Sequence, residues 1–263
     1  MADLTDRMET LMGQPQLKPE SRYDIGVIVE SWRLWESICK VLPVAPKLIS
    51  VWQLDADYFE LQAPDGQRVA FVIAQGASIA VDALERLAGS GAKTVVRIGT
   101  TGGLQPDQHI GDVILPLVAV RDEGTSEHYL PEKVPAVAST SLVDRLRTAL
   151  KEVVGVDVVP SMTWTTDGRW VESDADILTY SQLGVTAVDM ETAAVFAAGL
   201  HRRIQVASVS VVADLPIHHV GDEYKGLPPG EAEWSTVVQQ SAKVLCAVLR
   251  AASGWRFAPL PSQ

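Results

Sequence analysis

The chain has 263 residues, 47% hydrophobic and 21% charged, a composition that suits one large α/β domain or two small ones. A net charge of −11 and a pI near 4.9 argue against a nucleic-acid-binding surface, so a small anionic ligand needs a local basic pocket. Cys39 and Cys246 stand in apolar patterns without metal or disulfide spacing, no apolar run approaches the roughly 20 residues of a membrane span, and neither a signal core nor a zinc site is expected; the setting read from this is a reducing cytoplasm.

Residues 1–21 are polar and are expected to form an arm or short helix outside the core. Residues 23–29 (YDIGVIV) form an apolar run suited to a strand buried on both faces. Residues 31–42 follow as a helix, with Ser31 as N-cap and Leu34, Ile38 and Leu42 in one stripe. Residues 47–75 read as extended segments broken by the turn Pro64-Asp-Gly66. A helix over 77–89 turns Val81, Leu84 and Leu87 inward and ends at glycines. Residues 94–98 form a buried strand leading into a glycine-rich turn, Gly99-Thr-Thr-Gly-Gly103. Residues 112–120 are apolar and turn polar at Arg121-Asp-Glu-Gly124. An amphipathic helix is expected over 140–153, a strand over 156–162, a helix over 174–183 and a strand over 185–188. A nearly all-apolar helix covers 192–202, a strand runs over 206–212 and ends at Asp214, and a long helix covers 230–252.

No repeat or composition break divides the chain. The domain reading is an arm over 1–21, one α/β domain over 22–252 and a loose tail over 253–263. Strand–helix alternation implies three layers, α/β/α, around a mixed, mostly parallel twisted sheet. Ligands of such sheets bind at the carboxyl ends of strands. That rule selects residues 97–103, 121–128, 189–191 and Asp214.

Arg97-Ile-Gly-Thr-Thr-Gly102 pairs a forked donor with glycines that let backbone approach an anion, and Thr100 adds a hydroxyl. The alternative is a structural turn with Arg97 in a salt bridge; Gly-Lys-Ser/Thr and G-x-G-x-x-G are both absent. In Val188-Asp-Met-Glu191 a carboxylate at a strand end can accept two hydrogen bonds from a cis-diol while the methionine packs under a sugar ring. Alternatively, Glu191 is a first-turn partner of a helix dipole. Asp214 ends a buried strand, where desolvation can hold its carboxyl protonated as an acid, or it caps a turn before Pro216. Trp164 in Thr163-Trp-Thr-Thr-Asp167 is either a stacking plane or a core residue. His128 reads as a solvated loop residue. His218 and His219 lack partners at metal spacing, so no metal site is assigned.

These segments together resemble the nucleoside phosphorylase-I superfamily, which includes uridine phosphorylase, bacterial purine nucleoside phosphorylase and the methylthioadenosine nucleosidases. The resemblance runs from about Tyr23 to Leu249. It rests on Arg97-Ile-Gly-Thr-Thr-Gly-Gly103 with Gly111-Asp-Val-Ile114, on Val188-Asp-Met-Glu191, and on Arg121-Asp-Glu-Gly-Thr-Ser126 with His128-Tyr129. It implies phosphate contacts from Arg97 and Thr100, with Thr100 also reaching the ribose. It implies ribose contacts from Met190 and Glu191, and a base site at Trp164, Thr101, Gly102 and Asp189. Asp214 matches the acid that protonates a purine ring nitrogen. The Gln-x-Arg pair that reads uracil is missing from Gly168-Arg-Trp-Val171, so the expected base is a purine or purine-like ring.

The departures lie in the phosphate cradle. Gly-Asp-Pro-x-Arg after the first strand is replaced by Val29-Glu-Ser-Trp-Arg33, in which Arg33 aligns and Glu30 becomes a candidate base for water. The arginine that the family donates from a neighbouring subunit falls near Trp52, and the turn after the third long strand is Gln75-Gly-Ala-Ser-Ile79. The resemblance implies phosphorolysis of a nucleoside to free base and pentose 1-phosphate. The eroded cradle leaves hydrolysis or binding without turnover as alternatives. It also implies a homo-oligomer, a dimer or a trimer of dimers, with no cofactor beyond phosphate as co-substrate.

Overall fold

The computed structural model describes residues 23–40, 47–52, 56–62, 66–222 and 229–253. The expected N-terminal arm, Pro64 and Asp65 of the expected turn, and residues 254–263 of the tail lie outside the described residues.

Strand β1 (Ile25–Val29) is buried along its length and pairs in parallel with β4 (Arg68–Ile73) on one side and β5 (Thr94–Gly103) on the other. Beyond β4 the sheet continues antiparallel through β3 (Ala56–Gln62) and β2 (Lys47–Trp52). On the far side, β5 runs parallel to β11 (Gln205–Asp214), and β9 (Ser161–Thr166) runs parallel to both β7 (Pro116–Asp122) and β10 (Val185–Asp189). Short antiparallel strands β6 (Val113–Ile114) and β8 (Ala136–Val137) add to β11 and β7. The sheet is mixed, as expected. Two parallel blocks, β4–β1–β5–β11 and β10–β9–β7, meet at the antiparallel β5–β10 pair.

Six helices flank the sheet among the described residues: α1 (Trp32–Cys39), α2 (Ala77–Gly89), α3 (Thr140–Val153), α4 (Asp174–Gln182), α5 (Thr192–Arg202) and α6 (Glu231–Ser253). Local chemistry sets their starts. Ser31 Oγ accepts from Leu34 N–H at 3.3 Å, and Ser173 Oγ accepts from Asp176 N–H at 3.1 Å, each satisfying a donor that the first turn leaves open. Helix α2 packs on α5, and α1 and α3 pack on α6, giving the α/β/α layering. Helix α5 is buried from Thr192 to Gly199, which explains its nearly all-apolar sequence.

Two sequence expectations shift. The strand expected over 156–162 begins only at Ser161 and runs to Thr166. Pro160 has no N–H for a ladder, and Val156 and Val159 stay exposed. The second shift concerns the glycine-rich turn, which is the continuation of β5. Strand β1 ends at Val29, so one edge of β5 loses its partner after Ile98. Strand β10 then arrives from the opposite direction and pairs Val188 with Gly102 and Ala187 with Gly103. Gly99, Thr100 and Thr101 lie in the interval between the two partners. Strand β11 runs beside them on the other edge and holds them extended.

Helix α5 approaches β11 closely enough that a Cβ on Gly199 would fall against the side chain of Val206. Gly199→Ala should therefore lower unfolding stability by about 1–3 kcal/mol through overpacking, despite the better helix propensity of alanine. Urea denaturation checks this, and Gly199→Ala combined with Val206→Ala should recover part of the loss.

Candidate functional site

The interval in β5 leaves the Thr100 N–H on the edge that β1 has vacated. The residue that follows β1 fills the position. Glu30 extends the ladder by one bond, its N–H donating to Ile98 O at 3.1 Å. Its carboxylate then turns over Gly99, accepting from the Thr100 N–H and, at 2.7 Å, from Thr100 Oγ1. Gly99 makes room for this, since a Cβ there would lie 2.6 Å from Glu30 Oε2 and 2.5 Å from Arg97 Nη2.

Arg97 lies beneath. Its residue is 1% exposed. Nη1 donates to Ser210 Oγ at 2.9 Å and Ser208 Oγ at 3.4 Å, and lies 3.3 Å from Asp189 Oδ2. Nη2 donates to Glu191 Oε2 and lies 3.4 Å from Glu30 Oε2. Burial opposes the charge on Arg97, but the carboxylates of Glu191, Asp189 and Glu30 outweigh it and hold the guanidinium charged. Burial also pushes the carboxyls of Glu30 and Glu191 above their ordinary range, against the pull of Arg97. Three carboxylates face one guanidinium, so the cluster carries excess acid.

A cavity of about 260 Å³ opens above this cluster. Of the expected residues, Glu30, Arg33, Thr100, Thr101, Gly102, Asp189, Met190, Glu191 and Asp214 line it. Their local roles differ from several expectations. Arg97 does not line the cavity; Glu30 and Glu191 cover it. The Asp189 carboxylate accepts from Thr165 Oγ1 at 2.8 Å, from Thr192 N–H at 3.3 Å and from Thr192 Oγ1. It therefore holds the first turn of α5 and braces Arg97 at the cavity wall. Thr101 Oγ1 donates to Val188 O at 2.6 Å and ties β5 to β10. Gly102 is needed for packing, because a Cβ would meet Pro216 and Val188 at 2.8 and 2.9 Å. Exposed Arg33 on α1 has its guanidinium 4.0 Å from the ring centroid of Trp234, which also lines the cavity.

The Glu191 carboxylate lines the cavity in a fixed position. Oε1 accepts from Gly76 N–H at 2.7 Å and Oε2 from Arg97, which fixes the carboxylate and leaves further lone pairs on it. Half-buried Met190 adjoins it. Asp214 is paired in register with Gly102 across β5 and β11. Burial raises its carboxyl to about 6, with Arg169 and His219 pulling the other way.

Trp164 is placed elsewhere. It is 2% exposed, packs on Tyr180 at 4.5 Å between ring centroids, and donates from Nε1 to Asp122 at 2.9 Å. Its apolar surroundings are Leu104, Ile177, Val185 and Val188, so the core reading of this tryptophan holds and the stacking role does not. The segment 121–128 also stays away from the cavity. Arg121 donates to the carbonyls of Leu130 and Val134, at 2.9 and 2.7 Å, and to Ser126 Oγ, closing its own loop; His128 is exposed. Residues that sequence reasoning did not select also line the cavity: Arg169, Glu172 and Trp234. Arg169 directly follows a glycine just past the end of β9, the same kind of signal that singled out Arg97. Trp234 sits in the first turn of α6, which carries no distinctive pattern. Among the described residues no cluster of His, Cys, Asp or Glu could hold a metal ion.

Arg97→Met should leave three buried carboxylates without their cation and cost about 3–5 kcal/mol of stability at neutral pH. The loss should shrink as pH falls below about 7, because Glu191, raised to about 7, and Glu30, raised in the same direction, then take up protons. Urea denaturation at pH 7 and pH 5 reads both effects.

The fold is shared with the crystal structure of purine nucleoside phosphorylase from Toxoplasma gondii in complex with immucillin-H, with a TM-score of 0.75 over 92% of this chain and 95% of that one, at 23% identity. A guanosine phosphorylase of Halorubrum lacusprofundi is 31% identical over 140 residues, 52% of this chain and 55% of that protein. A uridine phosphorylase of Thermococcus kodakarensis is 42% identical over 96 residues, 36% of this chain and 34% of that protein. The chain thus spans about half the length, or less, of these relatives. A family model described as the phosphorylase superfamily matches residues 67–253. That match extends over more than half of the sequence and takes in β5, β10 and β11 whole, so this chain belongs to the phosphorylase superfamily.

Proposed function

We propose that the chain cleaves the N-glycosidic bond of a purine-type nucleoside, by phosphorolysis to free base and pentose 1-phosphate. The observation that carries this reading is the convergence of Asp214 with the Met190–Glu191 pair on one cavity. Glu191, immobilised by Gly76 and Arg97, accepts hydrogen bonds from the ribose hydroxyls. Met190 packs against the sugar. Asp214, with its carboxyl raised to about 6, donates a proton to the departing ring nitrogen, which lowers the charge that the base must carry away. Thr100, with Arg97 behind it, addresses the acceptor on the opposite side of the sugar. Holding the parts in line supplies the rest of the rate. Phosphate is the co-substrate and no resident cofactor takes part. A homo-oligomer and a cytoplasmic setting belong to the same reading. The relatives' printed names, guanosine phosphorylase among them, support the class of reaction.

Hydrolysis is the second reading, and one observation favours it: Glu30 already occupies the donors of Thr100. Release of base from purine nucleosides, followed with and without phosphate, separates the two. Phosphate-dependent release supports phosphorolysis, equal release without phosphate supports hydrolysis, and no release from any purine nucleoside sinks the proposal.

The role of Asp214 makes a pH prediction. Its acid form is the active one, so kcat/KM should fall as pH rises through about 6 and level off below. Asp214→Asn removes the proton and should slow purine release about 10²–10⁴-fold, with that limb of the profile lost. An unchanged rate in this variant would remove Asp214 from the mechanism.

A further inference from the structure

Glu30 lines the cavity where the resemblance places the Gly-Asp-Pro of a phosphate cradle. It lies outside the span matched by the family model, residues 67–253. Its carboxylate makes the contacts that an oxyanion would make: the Thr100 backbone N–H, the Thr100 hydroxyl at 2.7 Å and the Arg97 guanidinium at 3.4 Å. The backbone leaves it little choice. Glu30 is held to Ile98 by a ladder hydrogen bond, and Gly99 provides the gap through which the carboxylate reaches Thr100. Its side chain is 13% exposed against 1% for Arg97, so it forms the lid of the charge cluster on the cavity side.

The charge balance decides what this does. Arg97 already faces Glu191, Asp189 and Glu30. Arg33, on α1, is stacked over Trp234. A phosphate dianion entering beside an ionised Glu30 would meet like charge at short range in a partly desolvated site, and would find the Thr100 donors taken.

We propose that Glu30 is a tethered anion that competes with phosphate for the Thr100–Arg97 position and thereby sets which acceptor the enzyme uses. While the carboxylate holds the Thr100 donors, phosphate must displace it to bind, whereas a neutral acceptor such as water is admitted beside it. With the carboxylate removed the position becomes an open oxyanion site. The proposal rests on reading this position as the acceptor's, and it deepens the function proposed above.

The test measures binding of inorganic phosphate, and of sulfate as an unreactive dianion, to the full chain by titration calorimetry without nucleoside. Wild type is compared with Glu30→Ala and Glu30→Gln. Glu30→Ala should bind phosphate at least tenfold more tightly than wild type, with Glu30→Gln between the two. Adding Thr100→Val to Glu30→Ala should remove most of the gain. Equal or weaker phosphate affinity in both single variants, with unfolding transitions as cooperative as wild type, would overturn the proposal. It would mean that Glu30 orders the donors instead of competing for them. The binding readout involves no turnover, so failure of the nucleoside-cleavage reading shows up separately, as no base release from wild type.

Discussion

The buried charge of Arg97 organises this protein's cavity. A guanidinium taken out of water costs several kcal/mol unless charge and hydrogen bonds replace its hydration. Here two serine hydroxyls and three carboxylates replace it. Ser208 and Ser210 come from β11, Asp189 from the end of β10, Glu191 from the start of α5, and Glu30 from the residue after β1. One side chain on β5 thus draws together segments distant in sequence. Three of the groups around it, Glu30, Asp189 and Glu191, also line the cavity. The position of the Glu191 carboxylate and the stability of the sheet's centre therefore depend on the same ion cluster.

The cavity exists because β5 changes partners. A strand with neighbours on both edges throughout has no spare donor to offer. Strand β5 has β1 up to Ile98 and β10 from Gly102, and the interval exposes one backbone N–H at Thr100. Glycines allow the close approaches on either side of it: Glu30 over Gly99, and Pro216 and Val188 against Gly102. Strand β11 continues alongside and delivers Asp214 opposite Gly102. Asp214, Glu191 and Thr100 are thus brought to one cavity by adjoining strands of the mixed sheet.

Much of this was legible in residue order. The helices at Ala77–Gly89, Thr140–Val153 and Thr192–Arg202 coincide with the expected spans, since apolar spacing, caps and terminal glycines all act within a few residues. Glu191, Met190 and Asp214 were recognisable because each stands where an apolar run stops. Trp164 was not legible in the same way. An aromatic between threonines reads alike whether it faces a ligand or, as here, Tyr180 and Ile177. Trp234 escaped because a side chain's approach to a cavity from a helix start leaves no periodic trace.

By itself the sequence determined the alternation of strands and helices and the strand-end positions of the polar residues. These follow from local patterning, in which burial dictates period and composition. Only the tertiary structure decided what each polar group meets. It placed Asp189 behind Arg97, tied Thr101 to Val188, covered Arg97 with carboxylates and laid Glu30 across the donors of Thr100. Those outcomes depend on pairings between segments tens of residues apart, and on how a buried charge must be balanced by whatever the fold brings within reach.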